Sequence, residues 1–244
     1  MSKITIGFLD NYCFNDSSIH PKPMKEYAPE WYKNIKNNDI MPEEYFEYKS
    51  KVKTIKSCPS FVDVMKEGYV LLAHCDMILD YNPETDHHAW SIAYTWQNEI
   101  SFNKPIENHG NQQMVNYLPT AANIKHVFKI NMPYVLITEK GYSCRQMPMP
   151  YYFNPDWHVS YGLLETDNIH EVNIQINFTS EKKQIVIKKG TPLCVYVPYK
   201  REEHNIEVID LYENKKLLNQ VRGNKFKVTS RFRKGYLDTG YWSD

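Results

Sequence analysis

The stretch Tyr134–Tyr199, YVLITEKGYSCRQMPMPYYFNPDWHVSYGLLETDNIHEVNIQINFTSEKKQIVIKKGTPLCVYVPY, decides the fold. Within it Val172, Ile174, Ile176 and Phe178 alternate with Glu171, Asn173, Gln175 and Asn177. A strand buries one face and presents the other with this period of two. Gln184–Ile187, Leu193–Tyr199 and Asn205–Leu211 continue the series, with turns predicted at Ser180–Lys183 and Lys188–Thr191. Strands this short and this closely spaced predict a sandwich or barrel, not a βαβ sheet.

Upstream, Lys3–Leu9 reads as a first strand, and Tyr69–Leu79 as a single buried one. Trp90–Phe102 reads as another, followed by a polar loop around Asn108–Gln113. His126–Thr138 is strand-like but interrupted by Pro133, which cannot donate to a ladder and predicts a bend or an edge. Ser60–Gly68 is expected to be a short helix capped by Ser60 and stopped by Gly68. Glu213–Val221 is expected to be a second, ended by Gly223. Between Ser18 and Glu47, Pro21, Pro23, Pro29 and Pro42 forbid one long helix. An extended segment held to the sheet by Trp31, Tyr32 and Tyr45 is expected there. The expectation is one continuous β-rich domain over residues 1–244, with 215–244 as a basic, aromatic C-terminal tail.

Apolar residues make up 42% of the 244 and charged residues 24%, which excludes a disordered chain. The formal net charge is zero, so bulk attraction to a polyanion is excluded as well. With 19 Tyr and 14 Pro against 9 Gly, the composition leans toward irregular β structure. Cys13, Cys58, Cys75, Cys144 and Cys194 form no CxxC pair, and an odd count without a framework favours a reducing compartment. The N-terminal MSKITIGFLDNY has no long apolar core and no segment reaches bilayer-spanning length. The expected setting is the cytoplasm, without membrane association.

The order of segments resembles an uncharacterised protein family of tailed phages, especially marine T4-like phages, and some bacteria. TIKSCPSFVDVMKEGY (Thr54–Tyr69), FKINMPYVLITEKGYSC (Phe128–Cys144), GLLETD (Gly162–Asp167) and KGTPLCVYVPYKRE (Lys189–Glu202) carry the resemblance, which covers roughly residues 25–205. It implies a phage accessory or structural protein that binds protein partners, in the host cytoplasm or in a virion assembled there, and it implies no established chemistry.

A second resemblance is local. Residues 139–195 are similar in layout to the dUTPase and dCTP deaminase superfamily, which has a β-clip fold. Lys140-Gly141-Tyr142 takes the place of that family's turn, and Arg145 that of its phosphate-binding arginine. Gly162–Asp167 and Gly190–Val195 sit on its second and third motifs, and Gly235–Gly240 echoes its closing glycine-rich lid. The resemblance implies a β-clip-like barrel as the alternative to a sandwich, with two or three short helices in either case. It also implies a nucleotide-binding or nucleotide pyrophosphatase protein, possessing homo-oligomeric assembly. Glu165 or Asp167 would position water through a divalent ion such as Mg, and Arg145 and Tyr236 would bind substrate. The departures are specific: Gln146-Met147 replace the small Ser-Gly after the arginine, Glu165 replaces the catalytic aspartate, and Val195 replaces the strand glutamine. A water-activating carboxylate must lie within hydrogen-bond reach of its water, so one extra methylene matters.

Two further constellations rest on side-chain chemistry alone. On a strand, His74 and Asp76 share a face, and with His126 they would form the two-His, one-carboxylate triad of a non-haem Fe oxygenase. The simpler reading of His74 is a buried strand histidine bonded to a neighbour. Asp86-His87-His88 reads as a solvated turn. From Lys215 to Lys234 the chain is basic without acidic residues, and aromatic residues are interleaved or follow. Such a tail suits phosphate contacts and base stacking on nucleic acid, or an acidic protein partner.

Overall fold

The alternation in Glu171–Phe178 becomes a strand over His170–Phe178, with Val172, Ile174, Ile176 and Phe178 all buried. The computed structural model describes residues 3–40, 51–93, 104–168 and 170–223. In chain order the strands are β1 (Thr5–Phe8), β2 (Lys22–Pro23), β3 (Asn38–Ile40), β4 (Lys51–Lys53) and β5 (Tyr69–Leu72). Then come β6 (Met77–Asn82), β7 (His87–Ile92), β8 (Ile106–His109), β9 (His126–Ile137) and β10 (Tyr142–Pro148). The last are β11 (Trp157–Val159), β12 (Gly162–Leu164), β13 (His170–Phe178), β14 (Gln184–Ile187) and β15 (Pro192–Lys200). The fold is mainly β and sandwich-like, and its sheets do not close into a barrel.

By Cα packing the chain forms two compact units, Met1–Pro29 with Lys66–Arg201, and Glu30–Met65 with Glu202–Asp244. In the first unit one sheet runs β1-β9-β13-β11, with β8 also on β9. A second runs β12-β10-β15-β5-β2, and a third β14-β6-β7. All three contribute to one apolar core, including Phe128, Ile130, Ile174, Ile176, Leu79, Ile185, Leu71 and Tyr196. Pro133 lies where the pairing of β9 changes hands: β8 pairs with residues 127–130, and β1 with 134–137. On its other edge β9 pairs with β13, and the register shifts at this same place, between Glu171 and Asn173. A proline without an N–H is accommodated at such a break, so the interruption read at Pro133 is a bulge inside a continuous strand.

The reading of Tyr69–Leu79 as one strand is corrected. The chain leaves β5 at Ala73 and enters β6 at Met77 in another sheet. The return path from β14 to β15 turns the same corner. There Ala73 N–H donates to Thr191 O (2.9 Å) and Gly190 N–H to Ala73 O (2.8 Å).

Gly68 enters β5 with φ +81°, and a Cβ there would lie 2.5 Å from Tyr196 O and 2.8 Å from Val195 Cγ1. Burial pushes the Cys75 thiol up to about 12 and raises Cys144 and Cys194 as well. All five cysteines are free thiols, and only Cys58 is not buried.

In the second unit β3 pairs with β4. Tyr32, on helix α2 (Glu30–Lys33), stacks on Phe61 at 4.9 Å. Helix α1 (Asn11–Asn15) belongs to the first unit, and α3 (Pro59–Val64) carries Phe61. The helix expected over Ser60–Gly68 is thus shorter and starts on Pro59, whose fixed φ suits the first helical position, so Ser60 is not its cap. Residues 215–223 are helical, with Asn214 Oδ1 accepting from Leu217 N–H (3.1 Å). Asn205–Leu211 is not a strand, although Ile206 and Val208 alternate as one would. Both are 92% exposed. An alternating pattern makes a strand only where a neighbouring edge takes up its hydrogen bonds. Tyr45, residues 94–103 and the tail beyond residue 223 lie outside the described residues.

Gly190 also has positive φ, +80°, but a Cβ there meets nothing within 4 Å. Gly190→Ala is therefore expected to cost about 1–2 kcal/mol for the left-handed backbone alone. Gly68→Ala must in addition move the β15 backbone. Its loss in urea unfolding should exceed that of Gly190→Ala.

Candidate functional site

The residues singled out from the sequence do not gather at one place. Asp167, on a turn after β12, has a side chain only 7% exposed, and both of its oxygens are engaged by Arg201. Asp167 Oδ2 also accepts the Gly141 N–H (2.9 Å). The hydrogen bonds from Arg201, then that from Gly141, hold its carboxyl below the usual carboxylate range. Arg201 Nη1 donates to Ser143 Oγ as well (2.8 Å). Asp167 therefore ties the turn before β10 to the end of β15. The cation that meets it is Arg201, not Arg145.

Arg145 is exposed on β10, with its guanidinium carbon 5.1 Å from the Tyr199 ring centroid. Glu165 is exposed and accepts from Asn168 Nδ2 (3.3 Å). Tyr236 lies outside the described residues.

His74 and Asp76 do not share a strand face, because residues 73–76 form the corner between β5 and β6. His74 is buried inside that corner. Asp76 faces outward and accepts from Lys188 Nζ (2.8 Å) and the Lys189 N–H (2.8 Å). His126, at the start of β9, is buried between the rings of Tyr81 (4.9 Å) and His88 (4.8 Å). Neither of its ring nitrogens has a hydrogen-bond partner among the described residues. Among the described residues no three His, Cys, Asp or Glu side chains are grouped to hold a metal ion.

A different set of side chains does converge. The polar face of β13, with Asn173 and Gln175, forms one wall of an open cleft of about 390 Å³. Gln146 on β10, Ser160 and Tyr161 between β11 and β12, and His109 at the end of β8 complete its polar lining. Gln146 is buried, and each end of its amide is held. Tyr196 Oη–H donates to Gln146 Oε1 (2.7 Å), and Gln146 Nε2 donates to Ser160 O (2.9 Å). Gln146 Nε2 also reaches Gln175 Oε1 at 3.4 Å. Ser160 Oγ and the Asn177 amide are bonded to each other (3.0 Å), which fixes the segment leading into β12. Asn173 and His109 make no side-chain hydrogen bond to any described residue, so their polar groups remain open to the cleft. The volume falls within the roughly 300–1,000 Å³ of small-molecule sites.

None of these lining residues was a sequence candidate. The available signal was the run of amides at Asn173, Gln175 and Asn177 on the face opposite the core.

Two measurements follow from these contacts. Tyr196→Phe leaves the buried Gln146 Oε1 without its donor and should cost about 1–3 kcal/mol. Gln146→Leu removes the same bond, so the double variant should lose less than the sum of the two singles in denaturant unfolding. Burial, and then the neighbouring His88 charge, pushes His126 down to about 4. Burial likewise takes His74 to about 4. Above the ordinary histidine value of 6.5 their contribution to stability is complete. It is lost as the pH falls from 6.5 toward 4, because the unfolded chain takes up the protons first. His126→Phe, which keeps the stacked ring and removes one of the two titrations, should flatten but not abolish the fall in stability across that window. A scan of protein-family models finds none that matches this chain, and comparison with curated proteins finds no match either.

Proposed function

We propose that the chain is a non-catalytic binding protein, of the accessory or structural kind that its resemblance to the tailed-phage family implies. The single observation that carries this reading is the cleft beside β13, where a preorganised amide wall meets polar side chains that make no hydrogen bond to any described residue. Rigid polar groups facing a cavity favour ligand capture, since little ordering is left to be done on binding. Among the described residues that line the cleft there is no carboxylate to activate water and no Lys or Arg to orient a phosphate.

The nucleotide pyrophosphatase alternative draws less support. Arg145 and Gln146 are consecutive on β10, so their side chains leave opposite faces of the sheet. A nucleotide seated against the amide wall would not meet that guanidinium. Asp167 is committed to Arg201 and Gly141, which leaves Glu165 as the carboxylate to test.

The full chain, incubated with each deoxynucleoside triphosphate and Mg²⁺, is expected to release no pyrophosphate above background. Release that disappears in Glu165→Gln would overturn the proposal. A ligand held in the cleft should raise the melting temperature of the wild-type chain, because binding to the native state stabilises it. That shift should be smaller in Asn173→Ala.

A further inference from the structure

We infer that the cleft beside β13 takes a neutral saccharide. The inference rests on the binding reading above and specifies its ligand. It follows from what the lining offers and what it lacks.

Gln146, Gln175, Asn173, Ser160, His109 and Tyr161 give the cleft its polar lining and Met114, Leu163 and Leu164 its apolar part; among the described residues no Lys, Arg, Asp or Glu lines it. A phosphate or carboxylate ligand would lose its hydration there without gaining a countercharge. An apolar ligand would cover the amides and leave them unpaired, at about 1–3 kcal/mol for each group. The remaining class is neutral and rich in groups that both donate and accept.

Sugar hydroxyls have that character, and neighbouring hydroxyls on one ring match the paired carbonyl and amino ends of a carboxamide. Gln146 is locked at both ends, so it acts as a rigid backstop and its bond to Gln175 Oε1 fixes the second amide. The Gln175 Nε2 group and the whole Asn173 amide have no hydrogen bond to any described residue. They are the groups that would meet the hydroxyls. At the rim Tyr161 is 77% exposed, which presents an aromatic face for the C–H side of a pyranose ring. A purine could also pair with a carboxamide edge. Its nucleotide would still need a free cation: Lys129, in register with Gln175, is bonded to Glu107 (3.0 Å), and Arg145 on β10 faces the other side of its sheet.

The test uses the full chain and saturation-transfer NMR. The probes are neutral mono- and trisaccharides of glucose, galactose, mannose and N-acetylglucosamine, with adenosine and ADP alongside. The expected result is saturable binding of at least one saccharide, weakened about tenfold or more by Asn173→Ala and by Tyr161→Ala. Circular dichroism should show both variants folded with unchanged melting. Neither Tyr161 nor Asn173 makes a side-chain hydrogen bond to any described residue, so loss of binding would not reflect loss of fold. Saccharide binding that both variants leave unchanged would place the ligand elsewhere and overturn the inference. Adenosine binding without saccharide binding, sensitive to Asn173→Ala, would overturn the ligand class while the binding reading stood. If no probe binds, the inference falls. Pyrophosphate release dependent on Glu165 would remove the binding reading with it.

Discussion

Backbone hydrogen bonding along β9 constrains the rest of the first unit. Twelve residues of this strand are paired on one edge by β13 and on the other first by β8 and then by β1. An unpaired N–H in such a buried position would be expensive. Pro133 has none to leave unpaired, and it stands where the partner strands change over. Leu9 N–H donates to Pro133 O (2.8 Å), which draws the end of β1 into the break. On the other edge the shifted register lets β13 keep its apolar side chains on the core after the bulge. Its amides stay together on the opposite face, where Asn173 and Gln175 line the cleft.

The cleft and the salt-bridged turn divide labour along β10. One face of this strand carries Gln146, anchored through Tyr196 and Ser160. The other carries Ser143, which accepts from Arg201, and the exposed Arg145 over Tyr199. Successive residues of a strand must point to opposite sides, so a polar pocket and a cationic surface can share one strand without sharing a ligand. Asp167 closes the structural side by holding Gly141 and Arg201 together. A carboxylate that looks reactive in a motif is here a clasp.

Periodicity made much of this fold legible. The alternation of β13, the strands around Gln184–Ile187 and Leu193–Tyr199, the bend at Pro133 and the helix near residue 215 all follow from local rules. Alternation of side chains, a missing N–H and a capping Asn are properties of short segments. The corner at 73–76 was not legible, because an apolar run reads the same whether it continues in one sheet or crosses into another. Asn205–Leu211 failed for a related reason: its pattern is that of a strand, yet a strand needs a partner edge that no local pattern specifies. The candidate site was hidden more deeply. Gln146, Ser160, Asn173 and His109 come from four places in the sequence; only Gln146 falls in a motif, and there it reads as a departure from it. The residues that did resemble motifs were drawn from chemistry with strong sequence signatures, and neutral hydrogen-bonding surfaces have none.

The burial of the thiols has a practical corollary for handling the molecule. Nucleophilic attack by sulfur requires the thiolate, and burial raises three of the five thiols, Cys75, Cys144 and Cys194, above the ordinary cysteine value. Cys13 is shielded by position as well. Cys58 alone stands partly open to solvent. Brief treatment of the native chain with a maleimide should tag that one residue, which offers a place for a fluorophore or spin probe without engineering away any other cysteine.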